Sequence, residues 1–332
     1  MKYFDCIKLH VAVLAILFLN LLPVFGQGKS PDISGIDFES VDTYVEYNSA
    51  KVFGKLRILN HPERITGITV RYGLAMDDLS HNEKASFDLL NGFSVILSPL
   101  EDGVMYYYTV DIIVGQKRIE SGIKYFFTFT KGPVDLDLPS GNKWASHNVG
   151  ATLPTENGEY FAWGETSPKT LYTWPTYKYC TEYSPSRTLF SKYTTRKDKS
   201  AQSIADNKVT LEPEDDAAYM NMGVSWLTPS TKDWKELTEH CIIKSIQINE
   251  VNGFLISSKK EPNNYKKCIF ISSDSGCITG TEWQPGLYYW SSNLAVQLYS
   301  SDEGVFIFST NNAPSVKQRY MGLNVRAICR PL

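Results

Sequence analysis

The densest group of potential metal ligands in the 332-residue sequence is a run of acidic residues. Four carboxylates lie within five positions, at Glu212, Glu214, Asp215 and Asp216. Ca²⁺ takes several oxygen ligands, so this run could bind it, although the spacing of an EF-hand loop is absent. Acidic residues beside Pro213 are also typical of a helix start, where they stabilise the helix dipole. Ca²⁺ is the one cofactor that the sequence makes possible, and the helix start is the simpler interpretation.

A second candidate site combines aromatic rings with one carboxylate. Trp174, Tyr177 and Tyr179 could form a flat surface for a sugar or a peptide, and Glu165 could orient ligand hydroxyl groups. The alternative is that these rings pack in the core or belong to a tyrosine-rich surface loop. We retain the four residues as a ligand-binding prediction. A core position is predicted for the other tryptophans, which are Trp144, Trp163, Trp226, Trp234, Trp283 and Trp290.

The amino terminus carries the pattern of a secretory signal peptide. Lys2 and Lys8 precede an apolar run, residues 11–22, and a cleavage site follows before Gln27. We therefore predict that residues 1–26 are removed and that the protein is exported to the periplasm, the cell surface or the medium. An uncleaved N-terminal anchor is the alternative. The run is too short to predict a membrane span, so no transmembrane segment is expected after cleavage.

The charge of the remaining chain argues against one class of partner. Without residues 1–26 it has 31 basic and 35 acidic residues, a net charge of −4. A phosphate backbone requires a basic surface, so nucleic acid is not a predicted partner. With 21% charged and 13% aromatic residues, the chain is expected to fold around a packed core.

Five cysteines follow the predicted cleavage site, and all lie in the second half of the chain: Cys180, Cys241, Cys268, Cys277 and Cys329. Because export implies an oxidising compartment, one or two disulfides are predicted, and the odd number leaves at least one cysteine over. The sequence does not determine the pairing. No HExxH, GxSxG, P-loop or dinucleotide-binding pattern is present, so we predict no catalytic residue.

Residues 33–130 form short runs in which apolar and polar side chains alternate, as they do at 68–72 and 106–114. This period of two predicts strands with one buried face, and the absence of a helical pattern favours an all-β sandwich. Leu100 precedes Tyr106 across a turn, which resembles the tyrosine corner of fibronectin type III and Ig-like domains. Such domains are commonly spacers.

Residues 133–332 mix strands and turns with one clear helix, which predicts an α+β domain. The helix starts within residues 228–237, where Thr228 or Ser230 can cap it and apolar residues follow at helical spacing. A second, short helix is predicted near Pro213.

Several motifs in this second domain point to one family. They are DLDLPSGNKWA at 135–145, NVGA at 148–151, YFAWGE at 160–165, LEPEDDAA at 211–218, YWSS at 289–292 and VRAIC at 325–329. Together they resemble the Fibrobacter succinogenes major paralogous domain, which is widespread in exported proteins of Bacteroidetes and Fibrobacteres. The resemblance covers about 200 residues. It implies a fold similar to the C-type lectins and the formylglycine-generating enzymes, and it supplies no established catalytic residue. Two departures are His147, where the family frequently has cysteine, and the lack of the arginine that the family usually has just before its Pro-Thr helix start, here Pro229-Ser230.

The combined expectation is an exported, non-enzymatic protein in which a β-sandwich spacer presents a lectin-like domain to an extracellular protein or glycan. That role rests on analogy of fold. One alternative is a structural component of the cell surface, which an apolar patch or an unpaired edge strand would mark. Another is an oxidative enzyme related to the formylglycine generators, which requires two nearby reduced cysteines in a cleft. Cys268 and Cys277 are the pair to compare, although their surroundings do not match that pattern.

Overall fold

The computed structural model describes residues 35–59, 65–90, 92–295, 304–308 and 315–331. The predicted signal peptide lies outside these residues. The protein is mostly β-sheet, with 47% strand and 10% helix. Strands and the turns between them must therefore position any site. Within the described residues, no helix has the length and apolar character needed to cross a membrane.

The described residues of the N-terminal part form eight strands, which we number in chain order: β1 (Ile36–Val45), β2 (Ala50–Ile58), β3 (Ile65–Gly73), β4 (His81–Asp88), β5 (Gly92–Leu97), β6 (Met105–Val114), β7 (Lys117–Glu120) and β8 (Lys124–Phe127). All of their pairings are antiparallel, in the order β1-β2-β5-β4-β3-β6-β7, and β8 pairs with β6 beside β7. The predicted alternation is confirmed, since Val52, Val70 and Val110 are fully buried.

These strands form a β-sandwich with a single core. One layer contains β1, β2 and β5, and the other contains β3, β6, β7 and β8. Strand β4 crosses between the layers, because residues 81–85 pair with β3 and residues 86–88 pair with β5. Apolar residues from both layers share one buried cluster. We call residues 35–130 the N-terminal sandwich.

The predicted tyrosine corner is present. Tyr106 begins the buried run of β6, and its hydroxyl accepts a hydrogen bond from the backbone N–H of Glu101 at 3.0 Å. Leu100 is buried beside it. The corner fixes the turn between β5 and β6, as the Leu–Tyr spacing in the sequence indicates.

The C-terminal part spans residues 133–331, and its described residues form many short strands and two α-helices. The strands are β9 (Pro133–Asp135), β10 (Lys143–Ala145), β11 (Cys180–Ser184), β12 (Arg187–Phe190), β13 (Trp226–Leu227), β14 (Cys241–Ile248), β15 (Val251–Ser258), β16 (Cys268–Ser272), β17 (Cys277–Thr279), β18 (Glu282–Gln284), β19 (Tyr289–Leu294), β20 (Gly304–Phe308), β21 (Ser315–Gln318), β22 (Gly322–Leu323) and β23 (Ile328–Cys329). The helices are α1 (Ala217–Met222) and α2 (Thr231–His240).

These strands form small sheets instead of one continuous layer. The orders are β13-β23-β10-β9, β14-β15-β16, β18-β17-β22 and β19-β20-β21, with β11-β12 as a separate hairpin. The last described strand, β23, therefore pairs with β10, which is near the start of this part, so the two ends of the C-terminal part lie side by side. The relationship to the C-type-lectin-like fold remains a prediction.

Both predicted helix starts are confirmed. Ser230 caps α2 in a reciprocal capping box, in which its side chain and backbone exchange hydrogen bonds with Asp233. A single 3₁₀ turn (Pro213–Asp215) leads into α1, and Asp216 caps that helix. Trp234 on α2 is buried and stacks on Phe308 at 4.3 Å between ring centroids.

The core of the C-terminal part contains a fully buried guanidinium, that of Arg326. It donates to Oδ1 of Asn148 at 2.8 Å and to the backbone oxygens of Ser146 at 2.8 Å and Phe270 at 3.0 Å. A buried charge is costly unless it is hydrogen-bonded. Arg326 therefore ties its own segment to two others, residues 146–148 and the strand that carries Phe270, and the VRAIC motif has a structural role here.

The two parts are packed against each other. Phe127 and Phe129 of the sandwich share an apolar cluster with Ile248 and Phe270. The side-chain amide of Asn249 accepts from the N–H of Val45 at 2.7 Å and donates to its carbonyl at 2.8 Å. The junction is therefore a contact surface with its own core, in addition to a covalent link.

Candidate functional site

The predicted aromatic platform is buried. Trp174, Tyr177 and Tyr179 have 6%, 2% and 5% of their surface exposed. The Trp174 ring packs on those of Phe190 and Tyr320, at centroid distances of 5.4 and 4.7 Å. The prediction of an exposed ligand surface is therefore wrong for these three residues, because the tyrosine-rich segment folds inward and its rings fill the core.

Glu165 holds the same segment in place. One of its carboxylate oxygens accepts from Nζ of Lys169 and from the backbone N–H of Lys178, both at 2.8 Å. The side chain is largely buried and engaged within the protein. The structure does not support its predicted role in orienting ligand hydroxyl groups.

Three of the four predicted metal ligands come together. Oxygen atoms of Glu212, Glu214 and Asp215 lie within 4.8 Å of one another. Nζ of Lys192 lies 2.5 Å from both Glu212 and Asp215, and 3.5 Å from Glu214. The ammonium group of Lys192 thus lies between the carboxylates, where a Ca²⁺ ion would have to bind.

The fourth predicted ligand, Asp216, faces another way. One of its oxygens accepts from the N–H of Ala218 at 2.9 Å and from the hydroxyl of Thr228 at 2.7 Å. The other oxygen accepts from the N–H of Thr228 at 2.8 Å. The pKa of Asp216 is raised above its ordinary value, because the effect of burial exceeds the opposing effect of these hydrogen bonds. Its inclusion in a metal site is corrected: it caps α1 and ties the helix to the start of α2.

Electrostatics set the ionisation of Asp215. Burial raises its pKa, but hydrogen bonds from surrounding donors, Lys192 first, outweigh that effect and hold the pKa at about 2. Lys178 also contacts this carboxylate, at 3.0 Å. Asp215 is therefore the anionic centre of a lysine-rich cluster.

Four of the five cysteines are free thiols: Cys241, Cys268, Cys277 and Cys329. The predicted disulfides are therefore not formed among them. Burial raises the pKa of Cys241 and of Cys268 to about 12, so both are thiols at neutral pH. Cys277 is fully buried, and burial raises its pKa as well. Thiols of this kind are poor nucleophiles and poor metal ligands.

The residue that sequence analysis missed is Trp283. It was predicted to lie in the core, but 45% of its surface is exposed. It lies on β18 between two exposed polar residues, Glu282 and Gln284, and a Pro-Gly turn follows. Those polar neighbours on a short hairpin strand are the signal that could have identified it as a surface residue.

The exposed indole is held rigidly. Its Nε1 donates to the hydroxyl of Tyr160 at 2.9 Å, and that hydroxyl donates to the carbonyl of Ser275 at 2.6 Å. Beneath the ring lies Gly276, where a Cβ would overlap the indole. The close approach requires glycine, which also has a positive φ of 70°.

Polar groups surround this indole. Nδ2 of Asn157 donates to the Tyr160 hydroxyl at 3.4 Å and to the carbonyl of Asp274 at 3.2 Å. Oδ1 of Asp274 accepts from the N–H of Gly286 at 2.9 Å. We call Trp283, Tyr160, Asn157 and Asp274 the Trp283 surface. It combines one flat apolar ring with fixed donors and acceptors, as ligand sites commonly do.

A separate cavity of about 530 Å³ lies where the two parts meet. Residues of β1 and β8 line it, together with the turn between β14 and β15. Tyr108 also lines it, and only 2% of that side chain's surface is exposed. We call this cavity the junction cleft.

A serine and a histidine meet at the same junction without forming a catalytic pair. Ser146 Oγ and His147 Nδ1 lie 3.1 Å apart, and the hydroxyl of Tyr47 from the sandwich lies 2.9 Å from the same nitrogen. Burial and then the charge of Arg326 lower the pKa of His147, so the ring is neutral at pH 7. Ser146 is buried. The group links the two parts of the molecule.

No family model matches the sequence, and no curated protein matches it. Among solved structures, the chain is similar to a computer-redesigned β-sandwich protein, with 22% identity over 27% of this chain and 90% of that one, and a TM-score of 0.22. It is also similar to the third fibronectin type III domain of the human KIAA0343 protein, with 19% identity over 33% of this chain and 96% of that one, and a TM-score of 0.21. TM-scores this low carry no argument, so the β-sandwich assignment rests on the strand pairing itself.

Proposed function

We propose that the protein is exported and non-enzymatic, and that its C-terminal part recognises a protein or glycan ligand through the Trp283 surface. The N-terminal sandwich serves as the spacer that presents it. The observation that carries this proposal is the indole of Trp283, which is half exposed and yet braced by Tyr160 and Gly276. A ring that is already ordered loses little conformational entropy when a ligand stacks on it.

The chemistry of the described residues supports a non-enzymatic role. Cys268 and Cys277, the pair considered for oxidative chemistry, are buried thiols with raised pKa values. Neither lines the junction cleft. The Ser146–His147 pair is committed to Tyr47 across the junction. A reactive nucleophile needs access and an activating neighbour, and these groups lack the access.

The polar members of the Trp283 surface define the ligand chemistry. The indole offers an apolar face to a sugar ring or to an aliphatic side chain. Asn157 and Asp274 stand beside it, on the segments whose hydrogen bonds hold Tyr160. A ligand with one apolar face and hydroxyl or amide groups at its edge therefore fits best.

The test is a glycan and protein array probed with the full mature chain and with Trp283→Ala. We expect saturable binding that falls at least about tenfold in the variant, which is the loss typical of a central aromatic anchor. Val224→Ala is the matched control, because Val224 is also exposed and apolar but is not a member of the Trp283 surface. Binding that survives Trp283→Ala, or that falls equally in the control, would refute the assignment to this surface.

A structural role in a cell-surface assembly is the second candidate, and one observation favours it. Leu89 and Leu90, at the end of β4, are exposed, with 92% of the Leu90 surface open to solvent. Exposed leucines at the end of a hairpin are typical of contact surfaces. If they hold an assembly together, Leu90→Ser should lower the molar mass measured by light scattering. An unchanged monomeric mass in both proteins would count against this candidate.

A further inference from the structure

The N-terminal sandwich has two edge strands on the side where it meets the C-terminal part. In the described chain, β1 pairs only with β2, and β8 pairs only with β6. The free edges of both strands line the junction cleft. An unpaired edge presents backbone donors and acceptors in the spacing that another strand needs.

The register shows which backbone groups of β1 face the cleft. The N–H of Glu46 donates to the carbonyl of Ser49 at 2.9 Å and closes the β1–β2 hairpin. Because paired and unpaired residues alternate in an antiparallel ladder, Val45, Thr43 and Val41 direct their N–H and C=O groups away from β2. These three residues form the hydrogen-bonding edge of the cleft.

Side chains satisfy both ends of this edge. Asn249 uses its amide to accept from and donate to the backbone of Val45, as a residue of a neighbouring strand would. At the other end, Nζ of Lys124 donates to the carbonyl of Val41 at 3.0 Å. Thr43 lies between them. Both backbone groups of Val45 and the carbonyl of Val41 are therefore already occupied, and the N–H and C=O of Thr43 form the rung at which a further strand can pair.

The two edges touch at one end and separate toward the other. The N–H of Phe129 donates to the carbonyl of Glu46 at 3.1 Å, so the backbones meet there. At Val41 the link to β8 is made by the long Lys124 side chain. Between these points the cleft opens, and its volume of about 530 Å³ lies within the range of known ligand sites.

Tyr108 adds one hydrogen-bonding group to the lining of the cleft. The residue is largely buried, and its hydroxyl is the polar atom that a bound group can contact. Burial and then the charge of Asp42 raise the pKa of Tyr108, so it stays protonated and can donate.

The charges around the cleft select the partner. Asp42 and Glu250 are exposed at its edge and outnumber Lys124, whose Nζ donates to the carbonyl of Val41. We propose that the junction cleft binds an extended, basic segment of a partner protein, which adds as a strand to β1 beside Thr43. Backbone hydrogen bonds supply the affinity of such strand addition, and the acidic edge supplies its preference for lysine or arginine.

The experiment measures binding of three synthetic peptides to the full mature chain by calorimetry. The first is KVTVTVK, the second is EVTVTVE, and the third is KVTVTVK with alternate backbone amides methylated. We expect the first to bind, the second to bind at least about tenfold more weakly, and the third to show no binding. Hydrogen exchange at the Thr43 amide should slow when the first peptide is added.

Two variants separate strand addition from loose adsorption. Thr43→Pro removes the backbone donor on an edge strand, where proline is tolerated, and should abolish binding. Asp42→Lys should weaken binding of the basic peptide without affecting the fold, since the Asp42 side chain is exposed. Trp283→Ala should leave peptide binding unchanged, so this proposal and the one for the Trp283 surface fail separately.

Several results would overturn the proposal. They are the absence of binding at millimolar peptide, equal binding of the methylated peptide, and retention of binding by a folded Thr43→Pro variant. A further contrary result would come from hydrogen exchange without peptide. If protection of the Thr43 amide then rises with protein concentration, a second copy of this chain occupies the edge.

Discussion

At the scale of single residues, the protein places its charges in networks instead of open sites. Asp215 shows this most clearly, because it is almost fully buried and yet contacts both Lys178 and Lys192. The same lysine also contacts Glu212 and Glu214. The acidic run that suggests Ca²⁺ in the sequence is, in the folded chain, one half of an ion-pair cluster. The spacing of residues in the sequence does not reveal which lysines contact such a run in the folded chain.

We predict that Asp215→Asn destabilises the protein at pH 7 by about 1 to 2 kcal/mol, after allowance for solvent screening of the lysines. The folded pKa of Asp215 is about 2, below its ordinary value of 3.8. Its contribution is therefore complete above about pH 4 and is lost as the pH falls through 2. Urea unfolding at pH 7, 4 and 2.5 measures this. Glu214→Gln, a more exposed carboxylate at the same lysine, should cost much less.

The same cluster predicts the response to Ca²⁺. Because Lys192, Lys178 and Lys208 together already compensate the three carboxylates, the melting temperature of the wild-type protein should be the same in Ca²⁺ and in EDTA. Lys192→Met leaves the carboxylates without their central cation, so that variant should melt lower. Added Ca²⁺ should restore part of the loss. A wild-type protein that Ca²⁺ stabilises by several degrees would instead show a resident metal site.

At the scale of elements, local patterns in the sequence were sufficient wherever a local rule determines the structure. The alternation at 68–72, the Leu100–Tyr106 corner and the cap at Ser230 all appear where they were predicted. Exposure was not predictable in the same way. Trp174 and Trp283 each lie in a polar, turn-rich stretch, but one is buried and the other exposed, because long-range packing decides which ring the core accommodates.

The turn between β14 and β15 carries strain that one substitution should relieve. Asn249 and Glu250 have φ values of 51° and 65°, as in a type I′ turn. Asparagine tolerates this conformation, but glutamate does not favour it. We predict that Glu250→Gly stabilises the protein by about 0.5 to 1 kcal/mol, measured by urea unfolding. Glu250→Ala removes the same side-chain charge but retains the Cβ, so an equal gain from alanine would refute the explanation.

At the scale of the whole molecule, the two parts share a core as well as a linker. Phe127 and Phe129 of the sandwich pack with Ile248 and Phe270, and the ring of Tyr265 stacks on Phe127 at 4.5 Å between centroids. Asn249 and the Tyr47–His147 contact add polar links around this cluster. A sandwich joined in this way fixes the direction in which the C-terminal part faces. The turn that carries Asn249 thereby also forms one end of the junction cleft.

This shared core predicts how the protein unfolds. Because the apolar cluster spans the junction, the wild-type chain should melt in one calorimetric transition. Tyr265→Ala removes the ring that stacks on Phe127. It should weaken the interaction free energy between the two parts by about 2 to 3 kcal/mol. The single transition should then separate into two. Tyr125→Ala is the control, since Tyr125 lies on the same strand as Phe127 but is mostly exposed, and its loss should leave one transition. Two transitions in the wild-type protein would show that the parts unfold independently and that the contact surface does not couple them.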